Sequence, residues 1–203
     1  MNHRIETIEA LEARYGPVNP VSLGKETPVM NDAYRRLFAA CPFATLATLG
    51  PGGMDCSPRG DGPGFIRILD EQTLAIADRR GNNRLDTLRN IVEDGRIALL
   101  CMIPGWNETF RVNGTAYLST DPDLLESMAV QGKAPATAII IRIETMYFQC
   151  ARAVKRAKLW DAASRVDPKS LPSAGELTRS VLRDFDAEDY DAKLQDRQAA
   201  TMY

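Results

Sequence analysis

The chain has one histidine, His3, among 203 residues. A mechanism built on an internal imidazole base, such as a Ser–His or Cys–His nucleophile, is therefore not expected. There are four cysteines, Cys41, Cys56, Cys101 and Cys150, widely spaced and without a C-x-x-C pair or a Cys/His cluster. A metal site is not expected from that spacing, and the four read as buried free thiols. No apolar run approaches the roughly 18 residues that a membrane-spanning helix needs. The opening M-N-H-R-I-E-T-I-E-A carries acidic residues and lacks the apolar core of a signal peptide. These absences point to a cytoplasmic protein with no membrane partner. The net charge of −2 gives no global bias toward nucleic acid. Internal repeats and low-complexity tracts are also missing.

What is present is concentrated between Ser57 and Asn90. A Gly/Pro-broken turn, S-P-R-G-D-G-P-G, leads into two short apolar strands, then a polar elbow, then a helix. Arg79, Arg80, Asn82, Asn83 and Arg84 fall within six residues at the elbow. A helix N-terminus offers unpaired N–H groups and the positive end of its dipole. Arg and Asn added there make a site for a phosphate or another oxyanion. The plainer reading is a solvated loop with an ordinary helix cap, and Arg79 or Arg80 fits it as well as the functional one.

The remaining pattern sets the fold class. Residues 4–14 have helical spacing, 17–29 read as a loop with three prolines, and Asn31 or Asp32 caps a helix that ends at Ala40 before Pro42. Phe43–Leu49 and Met54–Arg59 form a hairpin around Gly50-Pro51-Gly52-Gly53, and Phe65–Leu69 and Thr73–Ala77 a second around Asp70-Glu71. Asn82–Ile91 reads as helix, Ile97–Ile103 and Thr109–Ser119 as strands, and Asp121-Pro122 as the start of a helix running to about Val130. Thr137–Cys150 is the strongest strand signal, followed by a basic helix from Ala151 to Trp160. Beyond Asp161 the chain reads as loop, a helix from Gly175 to about Phe185, and a frayed amphipathic tail.

About seven strands, mostly hairpin-linked, follow one another too directly for parallel crossovers. The expectation is a mainly β, α+β protein, an antiparallel barrel with helices inserted. Three parts are expected: an N-terminal helical segment, 1–42, a barrel domain, 43–160, and a C-terminal extension, 161–203.

The order of elements and five local motifs resemble one family. These are F-A-T-L-A-T, S-P-R-G-D, A-D-R-R-G-N-N-R-L-D-T-L-R-N-I, R-I-A-L-L and R-V-N-G-T-A. Together with the basic run ending in K-L-W, they resemble the pyridoxamine 5′-phosphate oxidase-like flavoproteins over roughly residues 30–160. Each motif alone is weak, and their combination is fairly specific.

The resemblance implies a split β-barrel that binds FMN at a homodimer interface. By position it implies that Ser57, Arg59, Gly60 and Asp61 lie beside the flavin, with Arg59 the phosphate partner. Asn82, Asn83 and Arg84 stand where the oxidases proper carry a Ser-Arg-Lys triplet. Ala77 and Asp78 stand where the strand backbone approaches the ring. Arg111, or the adjacent Phe110, stands on the strand that reaches the flavin from the partner subunit, and Trp160 closes over the site. Plainer readings stand beside these: a turn at 57–61, an exposed strand Arg111, core or interface tryptophans at Trp106 and Trp160, a structural Cys56, and a solvated basic face at Lys155, Arg156 and Lys158.

Two departures matter. This chain has Asn83-Arg84 where the oxidases have Arg-Lys. It also continues for more than 40 residues past Trp160 instead of ending in their short Arg-containing segment. The FMN site therefore carries over further than the vitamin substrate does. The reading is an FMN-dependent oxidoreductase acting on a small molecule. Alternatives are a non-enzymatic flavin carrier or sensor, or a split barrel that binds a deazaflavin or haem. Haem is disfavoured because it needs an axial ligand and the one histidine is His3.

Overall fold

The computed structural model describes residues 3–203. In chain order its helices and strands are α1 (Ile8–Tyr15), α2 (Pro20–Gly24), α3 (Asp32–Ala40), β1 (Phe43–Gly50), β2 (Gly53–Gly60), β3 (Ile66–Ile68), β4 (Thr73–Asp78), α4 (Asp86–Glu93), β5 (Arg96–Met102), β6 (Thr109–Ser119), α5 (Pro122–Ser127), β7 (Thr137–Gln149), α6 (Arg152–Ala157), α7 (Ala174–Val181) and α8 (Ala187–Ala200). Short 3-10 turns lie between α6 and α7.

The seven strands form one antiparallel sheet in the order β2-β1-β5-β6-β7-β4-β3. Alternation builds it: on β5 and β6 every second residue is buried, so one face of each strand is apolar and packed. The two long strands, β6 and β7, bend together where the register shifts between Asn113 and Gly114. Only glycine fits there, since a Cβ on Gly114 would stand 1.9 Å from the carbonyl oxygen of Arg142. The sheet curls as a split barrel does, and its central face closes over Leu46, Leu74, Leu99, Val112, Ile139 and Ile141.

Helix α3 plugs the core. Asn31 accepts from the Tyr34 amide at 3.1 Å and starts the helix. Tyr34 and Phe38, four residues apart, are its buried face. Phe38 meets Phe110 edge to face, with centroids 5.1 Å apart. Burying a side chain of that size stabilises by about 1.5–3 kcal/mol. Phe110 is wholly enclosed, so it is a core residue and the alternative of a flavin contact at Phe110 is withdrawn.

The structure corrects several sequence expectations. Helix α4 begins at Asp86, not Asn82, because Asn83 and Leu85 take left-handed backbone angles (φ 59° and 62°). Inside the stretch expected to be loop, Pro20 opens one turn of helix behind an Asn19 cap. The tail expected to be frayed is the 14-residue helix α8, and α7 stops at Val181 where Leu182 turns extended. Of the four thiols, Cys41 and Cys101 are buried but Cys56 and Cys150 are exposed. Helix α1 buries no residue. Among the described residues no helix is long and apolar enough to cross a membrane, and no group of three or more potential ligands could hold a metal ion.

Candidate functional site

Four strands separate β2 from β4 in the sheet order, yet both line one cleft of about 830 Å³. Curling of the sheet brings them together. β2 contributes Asp55, Ser57 and Arg59, β4 contributes Asp78, and the elbow contributes Arg79 to Leu85. The first turn of α4, the segment Lys133–Thr137 leading into β7, and Tyr203 complete the wall.

Alternation puts the β2 residues there. Asp55, Ser57 and Arg59 share one face of that strand and are its partly buried residues, while Met54, Cys56 and Pro58 are exposed. Helix α4 then sets the elbow against them. Asn90 is buried and donates from Nδ2 to Thr48 Oγ1 at 3.1 Å, pinning α4 on β1. The helix comes so close that a Cβ on Gly50 would stand 2.2 Å from Asn90 Oδ1.

Polar contacts inside the cleft are specific. Ser57 donates its hydroxyl to Asp55 Oδ2 at 2.8 Å, and Thr87 donates to the same oxygen in a short bond. With its proton committed to Asp55, the Ser57 oxygen is left as an acceptor, and Thr87 Oγ1 lies 3.2 Å from it. Arg84 pairs with Asp86 at 2.8 Å and is largely solvated. Its amide donates to Asn82 Oδ1 at 3.1 Å, which holds the elbow in a turn rather than a helical start. Arg79 is a strut: Nε holds Asp61 at 2.9 Å and a second guanidinium nitrogen donates to the Met128 carbonyl at 2.9 Å.

Two buried side-chain polar atoms among the described residues have no partner, Arg59 Nε and Thr137 Oγ1. A buried unpaired polar group costs about 1–3 kcal/mol, and both of these sit in residues that line this one cleft. The cleft's charge agrees with an anion. Its lining carries five cationic side chains, Arg59, Arg79, Arg80, Arg84 and Lys133, against three carboxylates, Asp55, Asp78 and Asp86. Burial pushes the Asp78 carboxyl above its ordinary value, and the charge of Arg59 pulls it partly back. Burial also pushes Asp61 up, but the Gly62 amide, the Tyr203 hydroxyl and Arg79 more than offset it and leave its carboxyl below the usual value.

Of the residues singled out from sequence, Ser57, Arg59, Asp78, Asn82, Asn83 and Arg84 converge on the main cleft. Gly60, Asp61 and Ala77 line an adjoining cavity of about 240 Å³, which shares Arg59, Asp78 and Arg79 with the first. Arg111 and Trp160 line neither. Arg111 donates to the Tyr147 hydroxyl at 3.3 Å, and Trp160 donates from its indole to the Trp106 carbonyl at 2.8 Å. Sequence reasoning missed Asp55, Thr87, Lys133, Thr137 and Tyr203. Asp55 and Thr87 were findable from strand alternation and helix phase. Tyr203 was not, because nothing local ties it to a residue 142 positions earlier.

Residues 30–150 match the model of the family described as Pyridoxamine 5′-phosphate oxidase. No curated protein matches the chain. Among solved structures, HupZ of Group A Streptococcus is 19% identical, with 59% of this chain and 93% of that one covered and a TM-score of 0.49. A putative pyridoxamine 5′-phosphate oxidase from Lactobacillus delbrueckii is 20% identical, with 60% and 95% covered and a TM-score of 0.47. An F420 reductase is 17% identical, with 58% and 98% covered and a TM-score of 0.43.

Proposed function

The chain belongs to the pyridoxamine 5′-phosphate oxidase family, and on that premise we propose that it is an FMN-dependent oxidoreductase acting on a small molecule. The observation that carries this reading is the unpartnered, buried Arg59 Nε in a cleft with more cations than carboxylates. A phosphate monoester is a ligand that a guanidinium recognises well, through charge-assisted hydrogen bonds. The volume, about 830 Å³, lies within the usual range for cofactor sites, about 300–1,000 Å³.

Arg59 and the elbow residues Asn82, Asn83 and Arg84 would hold the phosphate. Thr137 offers a hydroxyl, and the Asp78 end of β4 lies between the two cavities. When bound, FMN supplies the redox chemistry that the side chains lack. The chain's own part is to bind the anion, orient it and shield it from water. Asp78, half-buried, lines both cavities, and burial raises its carboxyl above the ordinary value against the pull of Arg59.

The functional unit in this proposal is a homodimer. Arg111 and Trp160, outside the cleft of their own chain, would face the cleft of the second copy. An interface built from one patch on both subunits is the common form of such a site.

The test is an absorption spectrum of the purified protein, with mass spectrometry of whatever denaturation releases. Flavin bands near about 370 and 450 nm with FMN released support the reading, and reduction by a donor screen then separates an enzyme from a carrier. Release of a deazaflavin would replace the cofactor. A colourless protein that also fails to take up added FMN overturns the proposal.

A further inference from the structure

Tyr203 reaches the cleft from the far end of the chain. Helix α7 begins with a capping box, in which Ser173 and Glu176 satisfy one another's amides. Asp191 of α8 then receives the Gly175 amide at 2.8 Å, and Ser173 donates to it in a short bond. A Cβ on Gly175 would stand 2.5 Å from the Ala187 carbonyl oxygen, so the two helices touch. This hairpin aims the end of α8 at the barrel, and Thr201 ends the helix with its hydroxyl on the Arg197 carbonyl at 2.7 Å.

Three contacts then fix Tyr203. Its hydroxyl donates to Asp61 Oδ1 at 3.0 Å. Lys133 Nζ donates to its main-chain oxygen at 3.0 Å. The Arg79 guanidinium carbon lies 5.6 Å from its ring centroid, within reach for a cation–π contact. Asp61 divides its carboxylate, with one oxygen on Tyr203 and the other on Arg79 at 2.9 Å. Both the ring's edge and its cationic neighbour are thereby held by one group, at the border of the two cavities.

An aromatic ring fixed in this way is a rigid apolar surface in an otherwise polar, cation-rich cleft. Two of the cleft's five cations, Arg79 and Lys133, are spent on it, while Arg59 is the one with an unpartnered buried nitrogen. The division suits a ligand with an anionic end and a flat ring. We propose that Tyr203 is a ligand-positioning residue, the wall against which the planar ring system of the cofactor packs while the arginine side of the cleft takes its phosphate. This rests on the FMN reading above.

The experiment is titration of FMN into apo wild type, Tyr203→Phe and Tyr203→Ala, each verified as folded by circular dichroism. Kd and the quenching of flavin fluorescence are read together. Loss of the ring in Tyr203→Ala should raise Kd by about tenfold or more and weaken the quenching, because an aromatic contact is lost with its buried area. Tyr203→Phe keeps the ring and loses the Asp61 bond, so it should retain the quenching with Kd raised about two- to threefold. Wild-type or tighter binding by Tyr203→Ala overturns the inference alone, and tighter binding would make the segment a competitor for the site. No uptake by wild type overturns the FMN reading and this inference together.

Discussion

Asn90 Nδ2 donates to Thr48 Oγ1 at 3.1 Å, and this single buried bond joins α4 to the strand beside which the elbow must lie. The bond works because Gly50, two residues along β1, leaves room for the Asn90 amide. Asn90→Ala strands the Thr48 hydroxyl and opens a gap, and should cost about 1–3 kcal/mol. Chemical denaturation would measure it as a lower midpoint. Since α4 carries the elbow, FMN affinity should fall with it, although Asn90 lines neither cavity.

Arg59 and Arg84 both line the cleft, and they should not be equal. Arg59 Nε is buried without a partner, whereas Arg84 already pairs with Asp86 in solvent. For Arg59→Ala, FMN affinity should drop by about 1.5–3 kcal/mol, roughly ten- to a hundredfold. Arg84 must give up one ion pair to make another, and an exposed pair is worth about 0–1 kcal/mol. Arg84→Ala should therefore cost less than Arg59→Ala in the same titration. The reverse order would move the phosphate from β2 to the elbow.

Asp78 makes binding depend on pH. Its carboxyl is pushed above the ordinary value by burial, more than Arg59 lowers it. The native state thus holds this proton more tightly than the unfolded chain. Stability from this group is full below the unfolded value, about 3.9, and is lost as pH rises through the folded one. An anionic ligand beside Asp78 favours the same protonated form. FMN affinity should therefore strengthen as pH falls across that window, and the slope should vanish in Asp78→Asn. A slope unchanged in Asp78→Asn would place the coupled proton elsewhere, on the phosphate itself.

The two-chain site can be tested by complementation. Arg111→Ala and Arg59→Ala should each bind FMN weakly, the first through the partner's cleft. Mixing the two variants should regenerate one intact site in each heterodimer, so about a quarter of all sites bind at wild-type affinity after free exchange. Sedimentation should give a dimer for each variant alone. A monomer in solution, or no recovery on mixing, defeats the shared site.

Much of this was readable along the chain. Strand alternation, Gly/Pro turns and the Asn31 cap act over a few residues, and so β1, β2, α3, β6 and β7 lie where the sequence puts them. The same alternation aligned Ser57 and Arg59 on one face of β2, two of the cleft's residues. Local rules failed where backbone and tertiary forces compete. The elbow residues have the composition of a helix start, but left-handed Asn83 and Leu85 delay α4 to Asp86. The strands, their antiparallel hairpins and the cationic elbow were legible along the chain, because each is set by periodicity and turn chemistry within a short span. Packing alone settled that β2 and β4 share one cleft, that Arg79 is a strut while Arg59 keeps an unpartnered Nε, and that Tyr203 meets Asp61. Those depend on how far the sheet curls and where the α7–α8 hairpin docks, which are outcomes of packing between segments distant in the chain.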